Sequence, residues 1–232
     1  MPFQIAPIEN DDFLGVAQIL HRGTHDSEPG FALIFPRMET PEGLAKTASI
    51  LSTGYGKNDD IHWIKAVDEE SGRMASSACW ITYPHDPYNT SGTFTGERHG
   101  DDESNPLRQF FEFFYKDKWL QRSRFEEVRR PHCFLLVLWT DPDFQRKGAA
   151  TALLDWGLNK ADELGLACFL EASPRAHKDG FYHKRGFCDI AAGTWIDERD
   201  PDHFRYKIIW MLRPAKGEEP PKRREDQVHR LS

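Results

Sequence analysis

The sequence predicts a mixed α/β fold, a central sheet with helices packed on it. Three stretches carry that prediction. CFLLVLWT (133–140) is an unbroken apolar run, the pattern of a strand covered on both faces. Residues 148–164 then set Ala150, Leu153, Leu154, Gly157, Leu158 and Ala161 along one helical face. LACFLEAS (166–173) is a second buried strand, and strand, helix, strand in that order forms a right-handed crossover joining two parallel strands.

The remaining elements follow in order. FQIAPI (3–8) reads as a first strand, and FLGVAQILHR after Asp11 and Asp12 as a helix with Phe13, Val16, Ala17 and Leu20 on one face. Thr40 is an N-cap with Pro41 at the first helical position, and Gly54 is the expected stop. IHWIKAVDEESGRMASSACWITYP is a hairpin turning at 68–73, with Gly72 in the turn. Residues 84–105 carry Gly, Pro, Asp, Asn and Thr without period, a long loop of the kind that is functional or disordered. From Pro106 a helix rich in aromatics begins (Phe110, Phe111, Phe113, Phe114, Trp119), which core packing or a lid over a pocket would each explain. A helix over 174–185, a strand near 187–192 and a last strand over 205–212 complete the chain. The expected organisation is one domain over 1–213 with an insertion at about 84–128. The tail 214–232, rich in Pro, Lys, Arg and Glu, has little to bury and is expected to be disordered.

With 232 residues, 39 % of them hydrophobic, the chain has ample length for a real core. Its formal charge of −7 argues against nucleic acid as a partner, because phosphate binding wants a positive field. The first residues show no basic segment leading into an apolar one, and no window approaches the roughly 20 apolar residues of a membrane span. A cytoplasmic protein without a membrane partner is therefore expected. Cys79, Cys133, Cys168 and Cys188 are far apart and sit in apolar contexts, which favours reduced core thiols over a metal site, so no metal is expected.

Between the central strand and its helix stands Gln145-Arg146-Lys147-Gly148-Ala149-Ala150. A helix start exposes about four unpaired N–H groups and partial positive charge, and small residues there let an anion approach the backbone. The segment lacks the spacing and lysine of a P-loop and the three glycines of a dinucleotide fingerprint. It fits the pattern Gln/Arg-x-x-Gly-x-Gly/Ala, preceded by Leu138-Trp139-Thr140-Asp141-Pro142 and followed by LEAS and FYHKRGF (181–187). In these features the chain resembles the GNAT superfamily of acyl-CoA-dependent N-acetyltransferases, over roughly residues 3–212, and its LEASP-to-FYxxxGF arrangement looks most like fungal members. The resemblance implies a mixed, mostly antiparallel sheet with a splayed parallel pair. It also implies acetyl-CoA as cosubstrate: amides from Gln145 to Ala150 cradle the pyrophosphate, while the strand Leu138, Trp139, Thr140 pairs with the pantetheine arm in the manner of an added strand. Arg146 and Lys147 either add charge to that grip or are solvated.

Moving an acetyl group from a thioester to an amine needs a neutral amine, a stabilised oxyanion and a sulfur that ends protonated. An alkylamine with a pKa of about 10.4 must lose a proton, which burial and a nearby base favour. By the resemblance Tyr182 is the general acid, a phenol of about 10 facing a thiol of about 8.5; otherwise it packs on Phe181 and Phe187. The amide of Leu138 or a strand neighbour is the expected oxyanion donor. Glu171, a carboxylate at the end of a buried strand, is the candidate base, with a pKa raised by apolar burial. Its alternatives are an anchor for a cationic substrate or a partner for the amides of the Ser173 turn. Asp141 is a turn residue or a proton relay. Ser173 contacts the cofactor or caps the helix that Pro174 opens. His132 and His183 read as ordinary surface or strand-end residues.

Three functions follow: acetylation of a small primary amine, favoured; acetylation of protein lysines or N-termini; and acyl-CoA binding without catalysis. The acceptor is expected to meet a monomer or a homodimer.

Overall fold

The computed structural model describes residues 3–24, 31, 35, 37–53, 55–89 and 107–232. The stop at Gly54, the start at Pro106 and most of the loop over 84–105 lie outside the described residues. In chain order the elements are β1 (Phe3–Pro7), α1 (Phe13–Thr24), α2 (Pro41–Leu51), β2 (Ile61–Asp68), β3 (Met74–Tyr83), α3 (Leu107–Arg122), α4 (Glu126–Arg129) and β4 (His132–Thr140). They continue with α5 (Ala149–Leu164), β5 (Ala167–Ala172), α6 (Pro174–Lys178), β6 (Cys188–Asp197), β7 (Arg205–Arg213) and β8 (Gln227–Leu231). The strands form one mostly antiparallel sheet in the order β1-β2-β3-β4-β5-β7-β6-β8, with β6 and β8 parallel. Among described residues the chain divides into two compact units, 3–81 with 135–159 and 82–134 with 160–232.

In the first unit the local signals act as the sequence predicts. The Thr40 hydroxyl accepts the Gly43 N–H at 3.0 Å, with Pro41 opening α2. Gly72, at φ +68°, turns the β2–β3 hairpin, and Asp68 accepts the Ser71 N–H at 3.0 Å. β1 pairs antiparallel with β2, from Phe3 opposite Asp68 to Pro7 opposite Ile64. Phe13, Val16, Ile19 and Leu20 of α1 join Ile8, Trp63, Cys79 and Trp139 in one core. Helix α5 rests against β3 through an absent side chain. A Cβ on Gly157 would fall 2.0 Å from Cε2 of Trp80, whose indole N–H donates to the Leu153 carbonyl at 3.3 Å.

In the second unit β7 pairs antiparallel with both β5 and β6. Core packing accounts for three of the aromatics of α3, Phe110, Phe111 and Phe114, while Phe113 and Trp119 are half-buried. Phe114 meets Trp195 and Tyr206 at 4.9 and 4.8 Å between ring centroids, and Phe110 meets Phe204 at 5.2 Å. Phe110, Phe111 and Phe114 are all buried.

Three expectations need correction. The helix over 174–185 is two pieces: α6 ends at Lys178, Gly180 takes φ +64°, and a 3-10 turn follows at His183–Arg185. The tail contains a strand, β8, because the edge of β6 offers it a ladder from Gly193 opposite Gln227 to Asp197 opposite Leu231. Side chains hold it as well: the Arg224 guanidinium reaches Glu127 at 3.1 Å, and His229 stacks on Trp195 at 5.0 Å with Nδ1 2.9 Å from Asp117. Pairing and polar contacts supply what the tail lacks in apolar surface. Finally, β4 is not covered along its whole length, although Trp139 near its end is buried. Leu136 is 48 % exposed, and Val137 and Leu138 are half-buried.

Candidate active site

The first unit holds the strand-to-helix corner. After β4, Asp141 caps a 3-10 turn at Pro142–Phe144 by accepting the Asp143 N–H at 2.9 Å. The buried Asp141 carboxylate is paired with Arg22 at 2.7 Å, while Asp143 meets Arg73 at 3.0 Å and Arg22 at 3.2 Å. These contacts favour the turn reading of Asp141 and fix the approach to the corner. Arg73 and Lys147 also lie over the Phe144 ring, at 5.0 and 5.4 Å. Neither arginine was singled out from sequence, since each lies far along the chain from the carboxylates it pairs.

Through the corner Gln145 is extended, Arg146 is left-handed at φ +58°, and Gly148 takes φ +99°, a conformation that L side chains rarely adopt. Helix α5 begins at Ala149, and its first intrahelical bond runs from the Ala152 N–H to the Gly148 carbonyl at 3.0 Å. The N–H groups of Ala149, Ala150 and Thr151 fall in the first turn, ahead of any carbonyl four residues back within the helix. Gln145, Arg146 and Lys147 are exposed, and Gly148 and Ala150 half-buried. Around the direction a Gly148 side chain would take there is no atom within 4 Å. Beside Gly148 the corner is therefore open, with Arg146 and Lys147 next to it in the chain, and a main-chain lining at a helix start is of the kind that suits an anion. On β4 the Ser76 hydroxyl donates to the Trp139 carbonyl at 2.7 Å and lies 3.0 Å from Thr140 Oγ1, which anchors that end of the strand. The half-exposed Leu136 to Leu138 stretch precedes it.

The second unit holds the other candidates. Glu171, on β5, contacts Lys118 Nζ at 2.6 Å, Arg122 Nη1 at 3.5 Å and the Trp210 indole N–H at 3.2 Å. Burial pushes its carboxyl up, but the two cations and the hydrogen bonds from Lys118 and Trp210 outweigh it and hold the carboxyl below the ordinary range. The rise expected of a base does not occur. Its surroundings are apolar only in the strand sequence LACFLEAS, and α3 supplies charge from elsewhere in the chain. Arg122 lies between Trp119 and Phe134, 4.7 Å from each ring centroid. The signal that could have revealed this site is the spacing of Lys118 and Arg122, four apart on one helical face.

Ser173 caps α6 by accepting the Ala176 N–H at 3.4 Å. Tyr182 is 8 % exposed and stands edge-on to Phe181 and Phe187, at 5.1 and 5.9 Å. Burial pushes its phenol up to about 12. A phenol of about 10 is already a weaker acid than a thiol of about 8.5, and from about 12 a full transfer to a free thiolate runs about 5 kcal/mol uphill. Tyr182 is thus suited to donating a hydrogen bond to a developing thiolate, and surrenders its proton only if another group replaces it. His132 is buried, with Nδ1 2.8 Å from the Arg130 carbonyl, and burial pushes its imidazole down to about 4. His183 has a partner that sequence did not reveal, the carboxylate of Asp189 at 3.0 Å.

Residues 58–187 match the model of the acetyltransferase (GNAT) family, more than half of the chain, and the chain belongs to that family. No curated protein matches it. Among solved structures it is similar to arylalkylamine N-acetyltransferase 2 from Aedes aegypti, at 19 % identity and a TM-score of 0.61, over 91 % of this chain and 98 % of that one. The structure of histone acetyltransferase HPA2 and related acetyltransferase from Corynebacterium glutamicum is also similar, at 19 % identity and a TM-score of 0.56, over 95 % and 99 %. So is Naa20 from Chaetomium thermophilum, with a bisubstrate analogue, at 13 % identity and a TM-score of 0.53, over 97 % and 96 %. At these identities the likeness is one of fold.

Proposed function

We propose that this chain is an N-acetyltransferase that uses acetyl-CoA to acetylate the primary amine of a small molecule by direct attack in a ternary complex. The observation that carries this reading is the open corner. Main-chain N–H groups from Gln145 to Ala150 would hold the pyrophosphate, with Arg146 and Lys147 adding charge, and Leu138, Trp139 and Thr140 would pair with the pantetheine arm. When bound, the cosubstrate supplies an activated acetyl thioester. The half-exposed apolar stretch of β4 supports that placement, because a strand buried on every side would have no face to offer.

Tyr182, expected as the general acid, acts in this reading as hydrogen-bond donor to the departing sulfur, and the Leu138 amide keeps the role of donor to the oxyanion. In the net reaction the proton released by the attacking nitrogen balances the one the sulfur gains. Desolvation of the acceptor favours its neutral form, and this reading leaves Glu171 out of the proton path. Ser173, as cap of α6, holds the start of that helix beside any contact it makes with the cosubstrate. The domain that does this runs from β1 through β8, the tail strand included, and works in the cytoplasm, without metal in the acetyl-transfer step.

The test is release of free thiol from acetyl-CoA against polyamines, arylalkylamines, amino acids, aminoglycosides and histone-like peptides. Amine-dependent release with one of the small molecules is the expected result. Turnover confined to peptides would move the acceptor to proteins, and saturable binding without thiol release toward any amine would leave an acyl-CoA binding module.

A further inference from the structure

Away from the corner and from Glu171, three side chains bring metal-ligating atoms to one point. His177 lies in the last turn of α6, His183 in the 3-10 turn beyond Gly180, and Asp189 near the start of β6. His177 Nε2 is 3.0 Å from each carboxylate oxygen of Asp189, and His183 Nε2 is 3.0 Å from Oδ1. The two imidazoles meet at 4.9 Å between centroids, and the ligand atoms all lie within 4.8 Å of one another. Two local devices create the meeting. The left-handed Gly180 breaks the expected helix, on which residues six apart would point in different directions. A register shift between Asp189 and Ala191 interrupts the ladder to β7, and bulges of this kind re-aim side chains.

We propose that His177, His183 and Asp189 form a binding site for a borderline divalent cation, Zn²⁺ foremost. Two imidazoles and one carboxylate are the donor set such ions take, whereas Ca²⁺ and Mg²⁺ prefer oxygen alone. A tetrahedral ion with bonds of about 2.0–2.1 Å keeps its ligand atoms about 3.3 Å apart, so the two His–Asp separations of 3.0 Å have to open by a few tenths of an ångström, and the two imidazole nitrogens, within 4.8 Å of each other, settle to the same spacing. The three side chains are 24–40 % exposed, which leaves the fourth position to water. Because Tyr182 is the residue next to His183, an ion here would tie the turn that carries it to β6. The expectation of no metal was drawn from cysteine spacing, which this set does not use.

The full-length chain, stripped with a chelator, is titrated with Zn²⁺ by calorimetry, and its melting temperature followed. One equivalent should bind saturably and raise the melting temperature, Mg²⁺ should do neither, and Co²⁺ should give the visible absorption of a four-coordinate site. His183→Ala and Asp189→Asn should each weaken Zn²⁺ binding at least tenfold, and His203→Ala should not. His183 is partly exposed, so its variant is expected to fold, and circular dichroism checks that. Substoichiometric binding, equal binding of Mg²⁺, or unchanged Zn²⁺ affinity in the folded variants would overturn the assignment. None of these readouts depends on acetyl transfer.

Discussion

Glu171→Gln separates two accounts of one carboxylate. The substitution preserves shape and removes the charge that faces Lys118 at 2.6 Å and Arg122 at 3.5 Å. The Lys118, Arg122 and Glu171 side chains are 19, 9 and 9 % exposed, so water cannot take over the solvation of the two cations without movement. Breaking a buried pair by removing one partner costs about 3–5 kcal/mol. For a chain of this length that is a fall of about 10 °C in melting temperature. Adding Lys118→Met should recover at least about 0.5 kcal/mol, since it removes one of the stranded charges. The pH dependence has a definite sign. The folded carboxyl lies below its ordinary value of 4.5, so the stability it supplies is present above that value and is lost as pH falls through the folded one. The variant should lack that part of acid denaturation. Differential scanning calorimetry from pH 7 to 3 reads both effects. A variant with unchanged melting temperature and abolished turnover would refute the ion-pair account and restore Glu171 as a base.

Three further outcomes are expected. Gly148→Ala places a Cβ in the open corner at a left-handed position, costing about 1–2 kcal/mol in stability and raising the Kd for coenzyme A about tenfold by calorimetry; an unchanged Kd would take the diphosphate away from the corner. Tyr182→Phe should lower kcat about 10²-fold with little effect on KM in the thiol-release assay, and full turnover would remove Tyr182 from the reaction. His132, held at about 4 when folded, is out-competed for protons by the unfolded chain between pH 6.5 and 4. Stability should therefore fall across that window, by about 3 kcal/mol, and His132→Phe should flatten that part of the urea-midpoint profile.

What could be read from the chain alone was whatever a few consecutive residues settle among themselves. Thr40-Pro41 caps a helix, Gly72 turns a hairpin, and the run 133–140 is a strand that leads through Gly148 into a helix, because caps, turns and periodicity act over a span of four to eight residues. The family resemblance was legible for the same reason, since its motif occupies a single corner. Meetings between distant segments were not. Glu171 looked apolar in LACFLEAS, and its cations lie about fifty residues earlier on another element. Trp80 filling the place of a Gly157 side chain, β8 completing the edge of β6, and His177, His183 and Asp189 facing one another all depend on which strands align and where a helix breaks. Local propensity sets the elements, whereas the environment of a buried charge is set by what the folded chain carries up against it.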